Sequence, residues 1–271
     1  LFRSTRCGGH CGHDESMTHS RSGEDRGVPP LKGVMFDFSQ TLLRIQDTGI
    51  WLREVLRTEG IAVPDAELAE WAARLASAGA LPGGPDPERI PPHLERLWRE
   101  RDLDTERHRA AYTGLAREAA LPWPELVDVL YERHTEPWMW RPYPDTRQVL
   151  ARLKGCGVPV AVVSNIGWDL RPVFRAHDLD QYVDVYVLSF EHGVQKPDPE
   201  LFRIACEGLG LPPENVLMVG DNPVADAGAA ALGCHVRLVD ALPVEERPDA
   251  LLAVVDLLGG KADPSRRGGF R

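Results

Sequence analysis

From Pro142 to Leu258 short apolar runs alternate with segments of helical period, and this alternation fixes the fold class before any single residue is weighed. Helix is expected over Thr146–Lys154, strand over Val158–Val163, helix over Leu170–His177 and strand over Val183–Leu188. Helix follows over Glu200–Leu209, strand over Val216–Val219, helix over Ala225–Leu232, strand over His235–Val239 and a last helix over Glu245–Leu258. Strands separated by helices run parallel, and a parallel sheet must be covered on both faces. A further apolar run, Gly33–Phe38, lies far upstream and supplies a fifth strand. The expected class is α/β: a Rossmann-like parallel five-stranded core sheet with helices on both faces.

Between that first strand and the alternation, the period is helical. Asp47 or Thr48 opens a helix carrying Trp51, Leu52, Val55 and Leu56, which Gly60 ends. Pro64-Asp65 opens a second, carrying Leu68, Trp71, Ala72 and Leu75, which Gly79 ends. A Pro/Gly-rich loop over Leu81–Pro92 leads to helices near His93–Arg101, Thr105–Ala120 and Pro124–His134. An all-helical domain over 43–140 is therefore expected, inserted into an α/β core made of 31–42 and 141–258. Residues 1–30, rich in Gly, Ser, Arg and His, read as a disordered tail, and 259–271 as a second. Cys7, His10, Cys11 and His13 lack a second ligand pair at a structural-zinc spacing, so this run reads as part of the tail.

Composition narrows the partners. A net charge of -10 supplies no overall basic field for a phosphate backbone, so no nucleic acid is expected. No apolar run approaches the roughly 20 residues that span a bilayer, so no membrane is expected either. Five scattered cysteines argue against a disulfide framework and for a reducing, cytoplasmic setting. Cys156, Cys206 and Cys234 read as small buried hydrophobes.

In a parallel sheet, chemistry collects at the carboxyl ends of the strands. The first strand runs out into Asp37-Phe38-Ser39-Gln40-Thr41, the second into Ser164-Asn165, and the fourth into Gly220-Asp221-Asn222 with Asp226 beyond. Lys196-Pro197-Asp198-Pro199 lies between the third and fourth strands. Three carboxylates, a lysine and a hydroxyl thus come to one sheet edge from four distant segments. Clustered carboxylates repel unless a cation joins them, and hard oxygen donors favour Mg²⁺. A carboxylate can attack phosphorus, while Lys196 and Ser164 hold the phosphate oxygens as charge spreads. Each residue alone has a plainer reading: an Asp at a strand end as a turn or helix cap, Lys196 as solvated, Ser164-Asn165 as a helix start. Their coincidence carries the chemistry.

These four motifs, in this order, resemble those of the haloacid dehalogenase superfamily of phosphohydrolases. The resemblance covers the first strand and Pro142–Leu258, with the helical insert where that family carries a cap. It implies a Mg²⁺-dependent phosphatase acting on a small phosphorylated metabolite through an aspartyl-phosphate intermediate, as a monomer or homodimer. Asp37 would be the nucleophile and a metal ligand. Ser39, through its backbone carbonyl, Asp221 and Asp226 would complete the metal set. Ser164, the N–H of Asn165 and Lys196 would bind phosphate, and Lys196 would also pair with Asp37.

Two positions depart from the family pattern. A second catalytic aspartate is usual two residues after the nucleophile, where this chain has Ser39, and Gln40 stands where glycine is common. General acid–base catalysis is worth about 10²–10⁴-fold, so alkyl phosphates are expected to react slowly unless another group stands in. His192 is a candidate for that role, although a solvated loop histidine is the plainer reading. Ser39 and Gln40 also motivate an alternative, a catalytically weak or inactive protein binding a phosphorylated ligand or a protein partner. A 2-haloacid dehalogenase is a further alternative, against which Ser39 and the acidic Gly220-Asp221 motif count. Phosphonatase chemistry needs a cap lysine, and none lies between Leu43 and Trp140. Arg44, Arg53, Arg99 and Arg141 could grip a second anionic group and Trp51, Trp98, Trp138 and Trp140 could stack on a ring, although solvated arginines and core tryptophans are the plainer reading; Trp168, just after the second motif, is the aromatic of most interest.

Overall fold

The computed structural model describes residues 31–258. The expectations for the two tails, including the Cys7–His13 run, lie outside the described residues. In chain order the strands are β1 (Gly33–Phe36), β2 (Leu43–Ile45), β3 (Trp140–Pro142), β4 (Val160–Ser164), β5 (Val185–Leu188), β6 (Val216–Gly220) and β7 (His235–Leu238). Five of them form one sheet in the order β5-β4-β1-β6-β7, every pair parallel.

β1 lies at the centre and is buried along its whole length, which explains why Gly-Val-Met-Phe shows no polar alternation. Its side chains alternate between two apolar layers. Val34 and Phe36 join the layer containing Leu150, Leu153, Val254 and Val255. Met35 faces the opposite layer, with Leu201, Phe202 and Ala205. The helices supplying these residues are α6 (Thr146–Gly155), α9 (Pro199–Leu209) and α10 (Leu252–Leu257), with the short α7 (Arg171–Ala176) and α8 (Ser189–His192) between the first two. Because β1 is gripped on both sides and both faces, the residue that follows it is held in a rigid frame.

The helical region is built from α1 (Thr48–Thr58), α2 (Asp65–Ser77), α3 (Glu95–Arg99), α4 (Thr105–Glu118) and α5 (Val127–Arg133). Asp47 caps α1, accepting from the Gly49 N–H at 2.7 Å, and Gly60 leaves it with φ +71°, a conformation glycine adopts without strain. This region is not helical to its limits. β2 and β3 form an antiparallel ribbon, Leu43 opposite Pro142 and Ile45 opposite Trp140, which ties together the two chain crossings into and out of the helices. Three-residue strands are too short to show a period in sequence.

Two further elements differ from expectation. Asp226–Leu232 forms a 3-10 rather than an α-helix. The last predicted helix is broken, because Pro248 cannot continue it, into a 3-10 turn over Val244–Glu246 and the short α10. Cys206 and Cys234 are buried as expected, whereas Cys156 is exposed at the end of α6. Among the described residues no helix is long and apolar enough to cross a membrane.

Candidate active site

Asp37 is the first residue beyond β1, and its N–H donates to the Val219 carbonyl of β6 at 2.9 Å. Its carboxylate is met by the ammonium of Lys196, which donates to Asp37 Oδ1 and to Asp226 Oδ1, each at 2.6 Å. Lys196 is only 4% exposed. Its backbone is clamped by the Asn165 side chain, which accepts from the Lys196 N–H at 2.6 Å and donates to the Lys196 carbonyl at 2.9 Å. The Asn165 amide is thereby committed to placing the lysine, so any contact it makes with phosphate must come from its backbone.

Asp221 accepts from the Thr41 hydroxyl at 3.3 Å, and the second Asp226 oxygen accepts from the Asn222 N–H at 2.9 Å. Carboxylate oxygens of Asp37, Asp221 and Asp226 all lie within 4.8 Å of one another. A glycine makes this approach possible. A Cβ on Gly220 would lie 2.1 Å from Asp226 Oδ2. Gly220→Ala is therefore expected to push Asp226 out of the cluster and to destabilise the fold by about 1–3 kcal/mol, the usual overpacking cost. Chemical denaturation checks this, and an unchanged midpoint would refute it.

The electrostatics follow from this crowding. Burial raises the Asp37 carboxyl to about 8; Lys196 opposes the shift, while Asp226 and Asp221 add to it. Burial, with help from Asp226, also raises Asp221. Burial works against the Lys196 ammonium, but Asp37 and Asp226 outweigh it and hold its pKa above the ordinary lysine range. Among the described residues Lys196 thus binds two of the three carboxyl groups and acts through its charge on the third, Asp221. An all-oxygen acidic set of this kind fits Mg²⁺. A metal must displace a proton from Asp37, so Mg²⁺ affinity is expected to rise with pH until about 8 and then level. Titration calorimetry in buffers of different ionisation enthalpy would show proton release on binding; affinity flat across that range would contradict the shift.

A cavity of about 870 Å³ opens between this cluster and the helical region. Asp37, Ser39, Ser164, Asn165, Lys196, Asp221 and Asp226 all line it, so the sequence-predicted residues converge on one space. Ser164 ends β4; it is buried, and its hydroxyl makes no hydrogen bond among the described residues. The Ser39 hydroxyl is buried and has no hydrogen-bond partner there either.

A family model for haloacid dehalogenase-like hydrolases matches residues 31–233. The chain belongs to this family. It is 36% identical over 129 residues to a phosphoserine phosphatase of Thermus thermophilus, a match spanning 46% of this chain and 50% of that protein. It is 31% identical over 157 residues to (S)-2-haloacid dehalogenase 4A of Burkholderia cepacia, across 52% of this chain and 66% of that one. The chain thus matches only half to two thirds of the length of these two relatives. Among solved structures, a dehalogenase aligns with TM-score 0.57 at 24% identity, covering 85% of this chain and 98% of that one, a likeness of fold.

Within this haloacid dehalogenase-like fold, Gln40 has a backbone role. Its φ is +62°, in the left-handed region, which explains the family's usual glycine there. Arg247 holds the turn: its guanidinium donates to the Gln40 carbonyl at 2.6 Å and to the Thr41 carbonyl, and it lies 3.2 Å over the Tyr143 ring. Sequence reading missed Arg247 because it comes from a segment assigned to the last helix, far from every motif.

The other candidates divide. Arg44 and Arg141 line the cavity but are engaged, Arg44 with Gln40 at 3.1 Å and Arg141 with Glu245 at 2.8 Å. Arg53 pairs with Asp65 on the surface, and Arg99 is outside the cavity lining. Trp168 lines the cavity but is 8% exposed, wedged against Phe38, Trp140 and His134. His192 is exposed and does not line the cavity, so it is no stand-in for the missing aspartate.

Proposed function

We propose that this chain is a Mg²⁺-dependent phosphatase of small phosphomonoesters working through an aspartyl phosphate. The observation that carries the reading is the Lys196 ammonium held at 2.6 Å from both Asp37 and Asp226, inside a cluster of three carboxylates. Attack on an organohalide carbon gives no use for so much negative charge. A phosphoryl group with a cation does.

In this reading Asp37, once ionised, attacks phosphorus. Its Oδ–P bond forms as the P–O ester bond breaks. Lys196 and the free Ser164 hydroxyl hold the equatorial oxygens where charge spreads. Water then attacks phosphorus and returns Asp37 as a carboxylate. The metal would be held by Asp37, Asp221, Asp226 and the Ser39 carbonyl, and would offset charge on the phosphoryl oxygens. The helical region covers the cavity and acts as a cap that excludes bulk water.

Hydrolysis of p-nitrophenyl phosphate with and without Mg²⁺ tests the proposal. Turnover should require Mg²⁺ and stop on chelation. The similarity to (S)-2-haloacid dehalogenases sustains a second reading. Halide release from 2-chloropropionate without metal would establish it instead. Tight binding of a phosphate ester with no turnover would favour a non-catalytic protein, the reading that Ser39 motivates.

A further inference from the structure

The phosphatase reading leaves one step without a group to perform it. An alkoxide leaving group needs a proton, and Ser39 is a poor donor at neutral pH. Gly83 packs close on one side of Ser39, where a Cβ would lie 2.5 Å from the Trp140 ring and 3.3 Å from Ser39 Oγ. An acid facing the same cavity from another wall can supply the proton.

The acids that line the cavity outside the metal cluster are Asp47, Asp86, Asp102 and Glu245. Asp47 and Asp86 are exposed, Asp47 being spent capping α1, and Glu245 pairs with Arg141. Asp102, from the turn between α3 and α4, is different. It is 4% exposed, and its carboxylate makes no hydrogen bond among the described residues. Its nearest charged neighbours are at ion-pair rather than hydrogen-bond range, Arg101 Nε at 3.5 Å and His108 Nε2 at 3.8 Å. Lys196 lines the same cavity, and its charge opposes the rise that burial imposes on Asp102.

We propose that Asp102 is the acid that protonates the leaving group, in place of the aspartate that Ser39 replaces. Its backbone is fixed against the phosphate-binding strand end. The Ser189 hydroxyl donates to the Asp102 carbonyl at 2.6 Å and accepts from the Ile166 N–H, two residues beyond Ser164, at 2.8 Å. The insert closes tightly here, since a Cβ on Gly167 would lie 2.1 Å from His108 Cβ. Arg101, whose Nε stays at ion-pair distance from the Asp102 carboxylate, is stacked 3.8 Å over Trp98 and donates to the Trp98 carbonyl at 2.8 Å. Burial keeps His108 neutral, its pKa well below the imidazole range, while its Nδ1 meets the Tyr131 hydroxyl at 2.7 Å. Burial also raises Asp102, against the effect of Arg101 and Lys196, which favours the protonated form that a donor requires.

The chemistry balances. As Asp37 Oδ bonds to phosphorus, the P–O ester bond breaks, and its electron pair on the ester oxygen takes the Asp102 proton. The alcohol leaves. In the second half, water attacks phosphorus and gives a proton to the Asp102 carboxylate. The P–Oδ bond breaks with its pair returning to Asp37, which resets both groups.

The test compares kcat/KM for p-nitrophenyl phosphate and for glycerol 2-phosphate in Mg²⁺, because this ratio reports steps up to departure of the leaving group. Asp102→Asn is expected to cut kcat/KM for the alkyl ester by about 10²-fold or more while changing the aryl ester little. Asp102→Glu, which keeps the acid, should preserve alkyl turnover. Equal losses on both esters, or no loss on either, overturn the assignment. A second measurement needs no variant. Across phosphate esters of graded leaving-group pKa, kcat/KM of the parent chain should fall only weakly, and a steep fall shows that no donor operates and overturns the proposal. A parent chain with no Mg²⁺-dependent turnover of any ester instead overturns the phosphatase reading itself.

Discussion

Asp37→Asn is expected to remove phosphomonoester turnover by on the order of 10⁵-fold or more, the scale seen when a covalent nucleophile is deleted, and yet to leave the metal-free fold as stable as before or more so. Both halves have the same origin. The amide is isosteric with the carboxyl, so β1 and its neighbours need not move, but it cannot form an acyl phosphate. As for stability, the folded-state pKa of Asp37 is raised to about 8, above its ordinary value of 3.8, so the folded chain holds this proton more tightly than the unfolded chain. A carboxyl raised in this way weakens the fold progressively as pH rises from its unfolded value toward its folded one. Removing it removes that penalty. The stability difference between variant and parent should therefore grow in the variant's favour between about pH 5 and pH 8. Steady-state assays and urea denaturation at several pH values check both. Surviving Mg²⁺-dependent turnover would remove Asp37 as the nucleophile. A variant that loses stability relative to the parent as pH rises would show that Lys196, not burial, governs Asp37.

Much of this site can be read from sequence because strand-end residues are placed by the sheet rather than by their own contacts. Asp37, Ser164 and Asp221 each follow a buried apolar run, and once the runs pair in parallel their carboxyl ends share one edge. Lys196 and Asp226 are legible only as parts of motifs, since neither follows directly from a strand. What the sequence hides are the residues whose role depends on distant packing. Arg247 reaches Gln40 and Thr41 from a segment about 200 positions away. Asp102 stands in a charged stretch, Arg99 to Asp104, where one expected helix ends and before the next begins, and only the closure of the insert on Gly167 and Ser189 buries it. The β2–β3 ribbon was hidden by its length. Asn165 shows a different limit: sequence places it at the site but cannot tell that its amide clamps Lys196.

Lys196→Met is the substitution expected to damage both fold and activity. The side chain is about as long and as apolar along its stem, so packing is largely kept, and the effect isolates the charge. Lys196 is 4% exposed and, among the described residues, is the one ammonium within hydrogen-bond distance of Asp37 and Asp226. Removing one partner from a buried charge cluster leaves uncompensated carboxylates and costs about 3–5 kcal/mol. The cost must depend on pH, and its sign is fixed. Without the ammonium, the Asp37 and Asp221 carboxyl groups, already raised by burial, lose the charge that opposes that rise. The folded variant then keeps its Asp37 proton to higher pH than the parent, so its deficit should be largest above about pH 8, where Asp37 ionises in the parent, and should shrink below it. Mg²⁺ should recover part of the deficit, since a cation bound by the folded state alone stabilises it by mass action. Turnover should fall by about 10²–10³-fold, the scale of losing one preorganised charge on a developing oxyanion. Denaturation curves at several pH values, with and without Mg²⁺, separate this account from simple loss of packing. A deficit independent of both pH and Mg²⁺ would mean that the lysine stem, not its charge, holds this edge of the sheet together.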